Sequence, residues 1–197
     1  MSPQTFIFYG RSGCGKGTQA ALLKEYLEKT DPNRPVLYLE TGQLLREFVK
    51  KGGYSSELVK GVIEAGGLLP EFMPIWIWTG YLVEHVTGNE HIIFDGVSRR
   101  PHEAPILDSA LRFYKRENPK VVLLEVSREW ARERLFGRGR NDDSKKDIDR
   151  RLDWYERDVI PTLKFFEGNP TYDFLRISGE KSIEEVHADL IEKAFGK

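Results

Sequence analysis

The chain's 197 residues predict a single domain, and a formal net charge of −1, from 30 basic and 31 acidic side chains, argues against a dedicated nucleic-acid binder. Hydrophobic residues make up 40%, enough for a buried core, and the single cysteine excludes an internal disulfide and a multi-cysteine zinc site. No apolar run reaches the roughly 20 residues of a membrane span, and the N-terminus lacks the regions of a signal peptide, so we expect a cytoplasmic protein without membrane partners.

Short apolar runs alternate along the chain with longer helical patterns. The runs that predict buried strands span residues 5–9, 36–39, 92–94, 121–126 and 172–177. Apolar periodicity predicts helices over residues 16–29, 128–137 and 182–195. Ser182 and Glu185 stand in the spacing of a capping box at the start of the last helix. The alternation predicts an α/β fold, a parallel sheet with helices on both faces.

Two segments depart from this alternation, and we interpret both as excursions from the sheet. Residues 42–87 contain helical periods broken by two Gly-Gly pairs and no strand pattern. Residues 141–150 are read as polar throughout. Helical spacing in the aromatic run 74–81 predicts a buried face made of Ile75, Trp76, Trp78 and Tyr81.

A glycine-rich loop, Gly10-Arg-Ser-Gly-Cys-Gly-Lys-Gly-Thr18, connects the first strand to a helix. Glycines let successive backbone N–H groups point at phosphate oxygens, and the helix N-terminus adds partial positive charge. Lys16 is placed to reach the β- and γ-phosphates, and Thr18 to bring a hydroxyl near a metal. Gly17 stands where the general pattern has Ser or Thr, but the order of strand, loop, lysine and helix still predicts phosphate binding.

Further motifs follow the loop's Gly-Lys-Gly-Thr-Gln19 in a fixed order. They are Thr41-Gly-Gln-Leu-Leu-Arg46, Asp95-Gly-Val-Ser-Arg99, Arg134-Leu-Phe-Gly-Arg138, Arg140-Asn-Asp-Asp143 and Ser178-Gly-Glu-Lys181. The set resembles the adenylate kinase family of nucleoside monophosphate kinases over almost the whole chain. The resemblance implies a three-layer P-loop kinase fold with five parallel strands, and Mg²⁺-dependent transfer of a phosphoryl group from ATP to a nucleoside monophosphate, AMP first.

The resemblance also implies roles for single residues. The donor ATP would be bound by Gly13, Cys14, Gly15, Lys16, Gly17, Thr18, Arg134 and Lys181. The acceptor would be bound by Thr41, Arg46, Leu69, Gly96, Arg99 and Glu103. Phosphoryl transfer needs charge neutralisation and alignment more than a strong base, and the residues implied to be catalytic are Lys16, Arg99, Arg138, Arg140 and Arg151. Magnesium would be held by Thr18 and, through water, by Asp95.

The lid of the family is reduced here to a minimal turn over residues 138–143, with one glycine between Arg138 and Arg140. We expect this turn to present both arginines to the phosphates. The remaining parts would be a core (1–40, 88–137 and 144–197) and a helical acceptor-binding segment (41–87). The family expectation is a monomer. Val97-Ser98 replace Phe-Pro, and Gln43 replaces an aspartate, which we expect to tune activity without abolishing it.

Glu103 stands where members specific for adenylate carry glutamine. An ionised carboxylate can accept adenine's amino hydrogens but cannot donate to the neighbouring ring nitrogen, whereas guanine offers it two donors. His102 is one candidate for the missing donor, and the other interpretation is a surface histidine. The alternatives to AMP are therefore GMP first, then UMP or CMP. A nucleotide-binding sensor without turnover is a further alternative, suggested by the short lid.

Overall fold

Five parallel strands form the centre of the molecule, a computed structural model that describes residues 2–65, 67, 69–138 and 144–196, with Arg138 through its backbone alone. The strands are β1 (Thr5–Gly10), β2 (Val36–Glu40), β3 (His91–Asp95), β4 (Lys120–Glu125) and β5 (Asp173–Ser178). Their order across the sheet is β2-β3-β1-β4-β5, so β1 is central and its Phe8 pairs with Asp95 and Val122. This arrangement confirms the predicted fold class.

Helices connect successive strands. They are α1 (Lys16–Thr30), α2 (Thr41–Lys50), α3 (Tyr54–Glu64), α4 (Phe72–His85), α5 (Glu103–Phe113), α6 (Arg128–Arg138), α7 (Lys145–Trp154), α8 (Ile160–Glu167) and α9 (Ile183–Phe195). A π-helical turn, Tyr155–Val159, joins α7 directly to α8. The expected capping box at α9 is present, with Ser182 and Glu185 each binding the other's backbone N–H. None of the helices in the described part of the chain has the length and apolar character of a membrane span.

Alternation along the strands builds an apolar core on each face of the sheet. Phe6 and Phe8 of β1 belong to the core shared with α1, α6, α7 and α9. Ile7 and Tyr9 belong to the opposite core, shared with α4, α5 and α8. The molecule therefore has three layers, helices on either side of the sheet, as predicted.

The segment after β2 has a small core of its own. Within its described residues α2, α3 and α4 follow one another without a strand, and Val59, Leu69, Met73 and Ile77 are buried together there. The predicted buried face of α4 is wrong at Trp76, which is 55% exposed. The reason is that α4 lies between two cores: Met73 and Ile77 belong to the small one, and Trp78 and Leu82 to the sheet.

The interpretation of residues 141–150 as polar throughout is wrong in its second half. Helix α7 begins at Lys145, after Ser144, whose hydroxyl accepts a hydrogen bond from the Asp147 N–H at 3.2 Å. Ile148 and Leu152 are fully buried against the sheet. One apolar residue in each helical turn was enough to anchor α7, although charged residues surround both.

Candidate nucleotide-binding site

A cleft of about 1700 Å³ opens at the carboxyl ends of β1, β2 and β3. Its wall includes the residues at which these strands end or which follow them, among them Gly10, Thr41 and Gly96. Ligands of open α/β sheets bind at this edge. Because single small-molecule sites measure roughly 300–1,000 Å³, this cleft has room for two ligands of nucleotide size.

The phosphate loop lines one side of the cleft. Gly10 has φ +145°, and a Cβ there would lie 2.6 Å from the Leu124 carbonyl oxygen, so the loop can leave β1 in this direction only with glycine. The Lys16 ammonium donates to the carbonyl oxygens of Gly10 at 2.8 Å and Arg11 at 3.0 Å. Both acceptors are uncharged, so the positive charge is available to an anion in the cleft.

Asp95, the last residue of β3, faces the phosphate loop. Its Oδ2 accepts a hydrogen bond from the Tyr38 hydroxyl at 3.2 Å and lies 3.6 Å from where a Cβ on Gly17 would stand. Burial and the nearby Asp95 charge raise the pKa of Tyr38, which keeps that hydroxyl a donor. Thr18, in the first turn of α1, brings a hydroxyl to the same cleft. One carboxylate and one hydroxyl with space for water are ligands that fit Mg²⁺.

In the loop after β3, the side chain of Arg99 folds back over the backbone of Gly96. Gly96 has φ +78°, and a Cβ there would lie 2.3 Å from Arg99 Nη2. Arg99 Nε donates to the Gly96 carbonyl oxygen at 3.0 Å, and the Arg99 backbone N–H donates to Glu103 Oε2 at 2.7 Å. The first contact holds the Arg99 side chain and the second its backbone, and Arg99 lines the cleft.

Glu103, at the start of α5, is a buried carboxylate in the wall of the cleft, only 3% exposed. Burial raises its pKa, opposed by the Arg99 N–H and by the charges of Arg100, Arg99 and His102. His102, one candidate for a donor to the base, is not among the described residues that line the cleft, and its Nε2 lies 2.7 Å from the Glu71 carboxylate.

Four other arginines of the described chain line the same cleft, and one of them, Arg100, donates to the Leu69 carbonyl oxygen at 3.2 Å. Arg46 of α2 pairs with Glu40 at 2.9 Å. Arg134 of α6 lies over the Trp130 ring, 4.8 Å from its centre. Arg151 reaches the cleft from α7, the helix that the sequence pattern did not reveal.

The cleft brings together most of the residues that the sequence singled out: Gly13, Gly15, Lys16, Gly17, Thr18, Thr41, Arg46, Leu69, Asp95, Gly96, Arg99, Glu103, Arg134 and Arg151. Two are not part of its wall. Cys14 is buried beneath the loop in the sheet core, and Lys181 pairs with Asp189 of α9 at 2.5 Å. The predictions for the Arg138 side chain, for Arg140 and for the lid turn concern positions outside the described residues.

Sequence reasoning missed several groups in the cleft. Tyr38 and Trp130 carry no motif, and only their contacts with Asp95 and Arg134 mark them. Trp78 was predicted to lie in the buried face of the aromatic run, with base stacking as the other interpretation for one residue of that run. Trp78 Nε1, Thr41 Oγ1 and Ser98 Oγ are buried and make no hydrogen bond with the described part of the chain, and all three residues line the cleft.

Comparisons with known proteins bear directly on this site. Residues 8–170 match the family model described as adenylate kinase. The adenylate kinase of Leptospira biflexa serovar Patoc is 34% identical over 184 residues, 91% of this chain and 94% of the relative. That of Thermus thermophilus is 32% identical over 189 residues, 94% of each chain. Adenylate kinase 1 of Nostoc sp. is 29% identical over 184 residues, 93% of this chain and 95% of the relative. The family-model match over residues 8–170 and these relatives show that the chain belongs to the adenylate kinase family.

Proposed function

We propose that the chain is an ATP:AMP phosphotransferase that moves the γ-phosphoryl group of ATP to AMP, giving two ADP, and that the cleft holds both nucleotides. The family match and the names of the relatives support this reaction. They do not favour the alternatives weighed from the sequence, a kinase for GMP, UMP or CMP and a sensor without turnover.

The observation that carries the proposal is the meeting of Lys16, Asp95 and Arg99 at one cleft from the ends of two neighbouring strands. An acceptor phosphate is already ionised near neutral pH, so the protein has to align two polyanions and neutralise the charge between them. A lysine after β1 and an arginine after β3 are placed for that task. A carboxylate beside them would repel phosphate unless a cation intervened.

The donor half of the site would be the phosphate loop and α6. Backbone N–H groups from Gly13 to Thr18, together with Lys16, would hold the phosphates of ATP. Arg134, fixed over Trp130, would lie against its base or sugar. Cys14 would contribute only its backbone, since its side chain is buried in the core. Lys181 remains a prediction, because its ammonium is paired with Asp189.

The acceptor half would be the segment 41–87 and the loop after β3. Arg46 and Arg99 would bind the phosphate of AMP, with Thr41 and Gly96 beside them. Leu69 and Glu103 would form the pocket for its base. Arg46 would exchange its contact with Glu40 for the phosphate, a stronger partner because it carries more charge.

Asp95 and Thr18 would hold Mg²⁺, Asp95 through water, because magnesium retains most of its hydration shell. When bound, the ion neutralises charge on the β- and γ-phosphates. The chain's own groups do the rest: Lys16 and Arg99 orient the phosphates, and Arg151 reaches the cleft from a separate helix. Arg138 and Arg140 would act from the minimal lid turn, which we propose replaces the two sides of a longer lid.

A panel of acceptors tests the proposed function. Product formation from MgATP with AMP, GMP, CMP or UMP is expected to be fastest with AMP by at least an order of magnitude in kcat/KM. A preference for another monophosphate, or tight nucleotide binding without product, would contradict the proposal. ATP hydrolysis without acceptor is measured in parallel. A hydrolysis rate comparable with transfer would show that the lid turn does not exclude water.

A further inference from the structure

Three buried polar atoms in the wall of the cleft make no hydrogen bond with any described residue: Trp78 Nε1, Thr41 Oγ1 and Ser98 Oγ. A buried polar group without a partner is unfavourable by about 1–3 kcal/mol, so each such group needs an explanation, and in the wall of a cleft a bound ligand is one. The two hydroxyls can donate or accept and can rotate toward many partners. The indole N–H of Trp78 can only donate, and its direction is set by a packed ring.

Trp78 lines the cleft together with Leu69 and Glu103, the residues expected to form the pocket for the acceptor base. Its side chain is fully buried and belongs to the same core cluster as Val97 and Ala104, the neighbours of Ser98 and Glu103. Pro74, one helical turn earlier on α4, also lines the cleft, as does Leu69. This wall is apolar and suits a flat purine ring. Thr41 is separate from it in sequence and lies near Arg46, where a phosphate is expected.

Glu103 and Trp78 have opposite hydrogen-bonding roles. The ionised carboxylate only accepts, and one of its oxygens is already engaged by the Arg99 N–H. Adenine presents a donor and an acceptor side by side, its 6-amino group and N1. Glu103 can serve the first and cannot serve the second. His102 is not among the described residues that line the cleft, and its Nε2 lies beside the Glu71 carboxylate instead.

We infer that Trp78 is a specificity-determining residue for the acceptor: its indole N–H donates to N1 of adenine while Glu103 accepts from the 6-amino group. This inference rests on the proposed function for the identity of the acceptor. The donor and acceptor that a glutamine amide would combine are divided here between α4 and α5. Guanine carries a hydrogen on N1, which would meet the indole N–H as one donor against another, so the pair selects adenine over guanine.

The test measures dissociation constants by titration calorimetry without ATP, for AMP and for 1-deaza-AMP, in which N1 is a C–H group. The wild-type chain is expected to bind 1-deaza-AMP roughly tenfold more weakly, as for one lost hydrogen bond. Trp78→Phe is expected to weaken AMP binding by a similar factor and to bind both nucleotides equally. Trp76→Phe, a change of an exposed tryptophan on the same helix, is expected to leave both constants unchanged.

A rescue variant separates a lost hydrogen bond from a loosened pocket. Glu103→Gln in the Trp78→Phe background supplies an amide donor, so it is expected to restore AMP affinity and the preference over 1-deaza-AMP. The inference would be overturned if Trp78→Phe weakened the binding of AMP and of 1-deaza-AMP by the same factor and Glu103→Gln did not restore AMP affinity. If Trp78→Phe does not fold, the two dissociation constants of the wild-type chain are the test. Equal affinity for AMP and 1-deaza-AMP would overturn the inference.

The outcomes also distinguish this inference from the proposed function. Because the readout is binding in the absence of ATP, it does not depend on turnover. A chain that discriminates N1 through Trp78 but forms no ADP from MgATP and AMP would refute the proposed function and support the inference. A chain that forms ADP but binds AMP and 1-deaza-AMP equally well would support the proposed function and refute the inference.

Discussion

Two buried polar side chains, Arg116 at the amino end of the central sheet and Trp78 at the carboxyl end, differ in whether they have partners within the described protein. At the amino end, Arg116 is buried and donates to Thr5 Oγ1 at 2.8 Å and to the carbonyl oxygens of Gln4 and Glu90 at 3.0 and 2.8 Å. The Glu90 carboxylate accepts from Thr87 and from the Gly88 N–H. At the carboxyl end, the indole of Trp78 has no partner in the described chain.

On the inference above, Arg116 uses its hydrogen bonds for folding, whereas Trp78 keeps its N–H for the bound nucleotide. A buried polar group with partners inside the protein stabilises the folded state. Removing one partner lowers the free energy of unfolding, because the other partner remains buried without a hydrogen bond or an opposite charge. A buried group left without a partner weakens the fold slightly and is satisfied only on binding. Substitutions at the two ends should therefore separate stability from activity.

The largest expected effect is on activity, at the carboxyl end. Lys16→Met removes the ammonium expected at the transferring phosphates, so kcat/KM should fall by at least about 10³-fold, with the unfolding midpoint little changed because Lys16 contacts only loop atoms. Steady-state kinetics and thermal unfolding measure the two quantities. Lys24→Met, on the exposed face of the same helix, is the control. Activity within tenfold of the wild-type chain would refute the role of Lys16.

The converse is expected at the amino end. Arg116 Nη1 also lies 3.8 Å from the buried Glu90 carboxylate. Arg116→Met leaves that carboxylate without its ion-pair partner and should lower the free energy of unfolding by about 3–5 kcal/mol. Arg112→Met removes an arginine that is 72% exposed and pairs with Asp108, and should lower it by less than about 1 kcal/mol.

Urea unfolding measures both variants, and kcat of the folded Arg116→Met protein should equal that of the wild-type chain. Adding Glu90→Gln should recover part of the lost stability, because it removes the unpaired charge. Equal losses for Arg112→Met and Arg116→Met would contradict the distinction between the two ends.

Two glycines with similar backbone angles allow a matched comparison. Gly88 precedes β3 with φ +97°, and Gly96 follows it with φ +78°. Alanine at either position carries about 1–2 kcal/mol of left-handed strain. Only at Gly96 would the new Cβ lie 2.3 Å from Arg99, while Gly88 faces open space. Gly96→Ala should therefore lower kcat/KM for AMP by roughly 10²-fold, and Gly88→Ala should alter stability alone. Similar kinetics in the two variants would show that Arg99 tolerates displacement.

The smallest expected effect is a pH dependence of stability at the amino end. Burial lowers the pKa of His91, opposed by Asp31 and reinforced by Arg34 and Arg116, and its Nδ1 accepts from the Gln4 N–H. A base whose pKa is lower in the folded state gives up protons on folding. The stabilisation that neutral His91 contributes to the folded state is fully present above the unfolded pKa of about 6.5. It is lost as the pH falls from there through the lower pKa of the folded state.

We expect the free energy of unfolding to fall more steeply between about pH 7 and 5 in the wild-type chain than in His91→Asn. His85→Asn, at an exposed histidine, is the control and should keep the wild-type slope. Chemical denaturation across this range measures the slopes. Identical slopes for His91→Asn and the wild-type chain would show that His91 does not titrate with folding.

Spacing along the chain, together with the family resemblance, was sufficient to predict the features that depend on local order. The phosphate loop, Asp95 and Arg99 follow buried strands, and parallel strands bring their carboxyl ends to one edge, so these groups could be placed before any coordinates. The burial of Trp78 in place of Trp76 could not be predicted, because it depends on α4 lying between two cores. The contact of His102 with Glu71 depends on tertiary packing in the same way.

The π-helical turn Tyr155–Val159 sets the phase of one long helical rod. Before it, Ile148 and Leu152 face the core on one side of the sheet; after it, Leu163 and Phe166 face the core on the other. A π-helical turn contains one more residue than an α-helical turn, and one residue of an α-helix corresponds to a rotation of about 100°. The π-helical turn therefore rotates the apolar face of α8 relative to that of α7. The length of this turn therefore determines which residues of α8 face the sheet. Residues between Arg151 and Val159 line the cleft at the point where the continuous helix passes from one face of the sheet to the other.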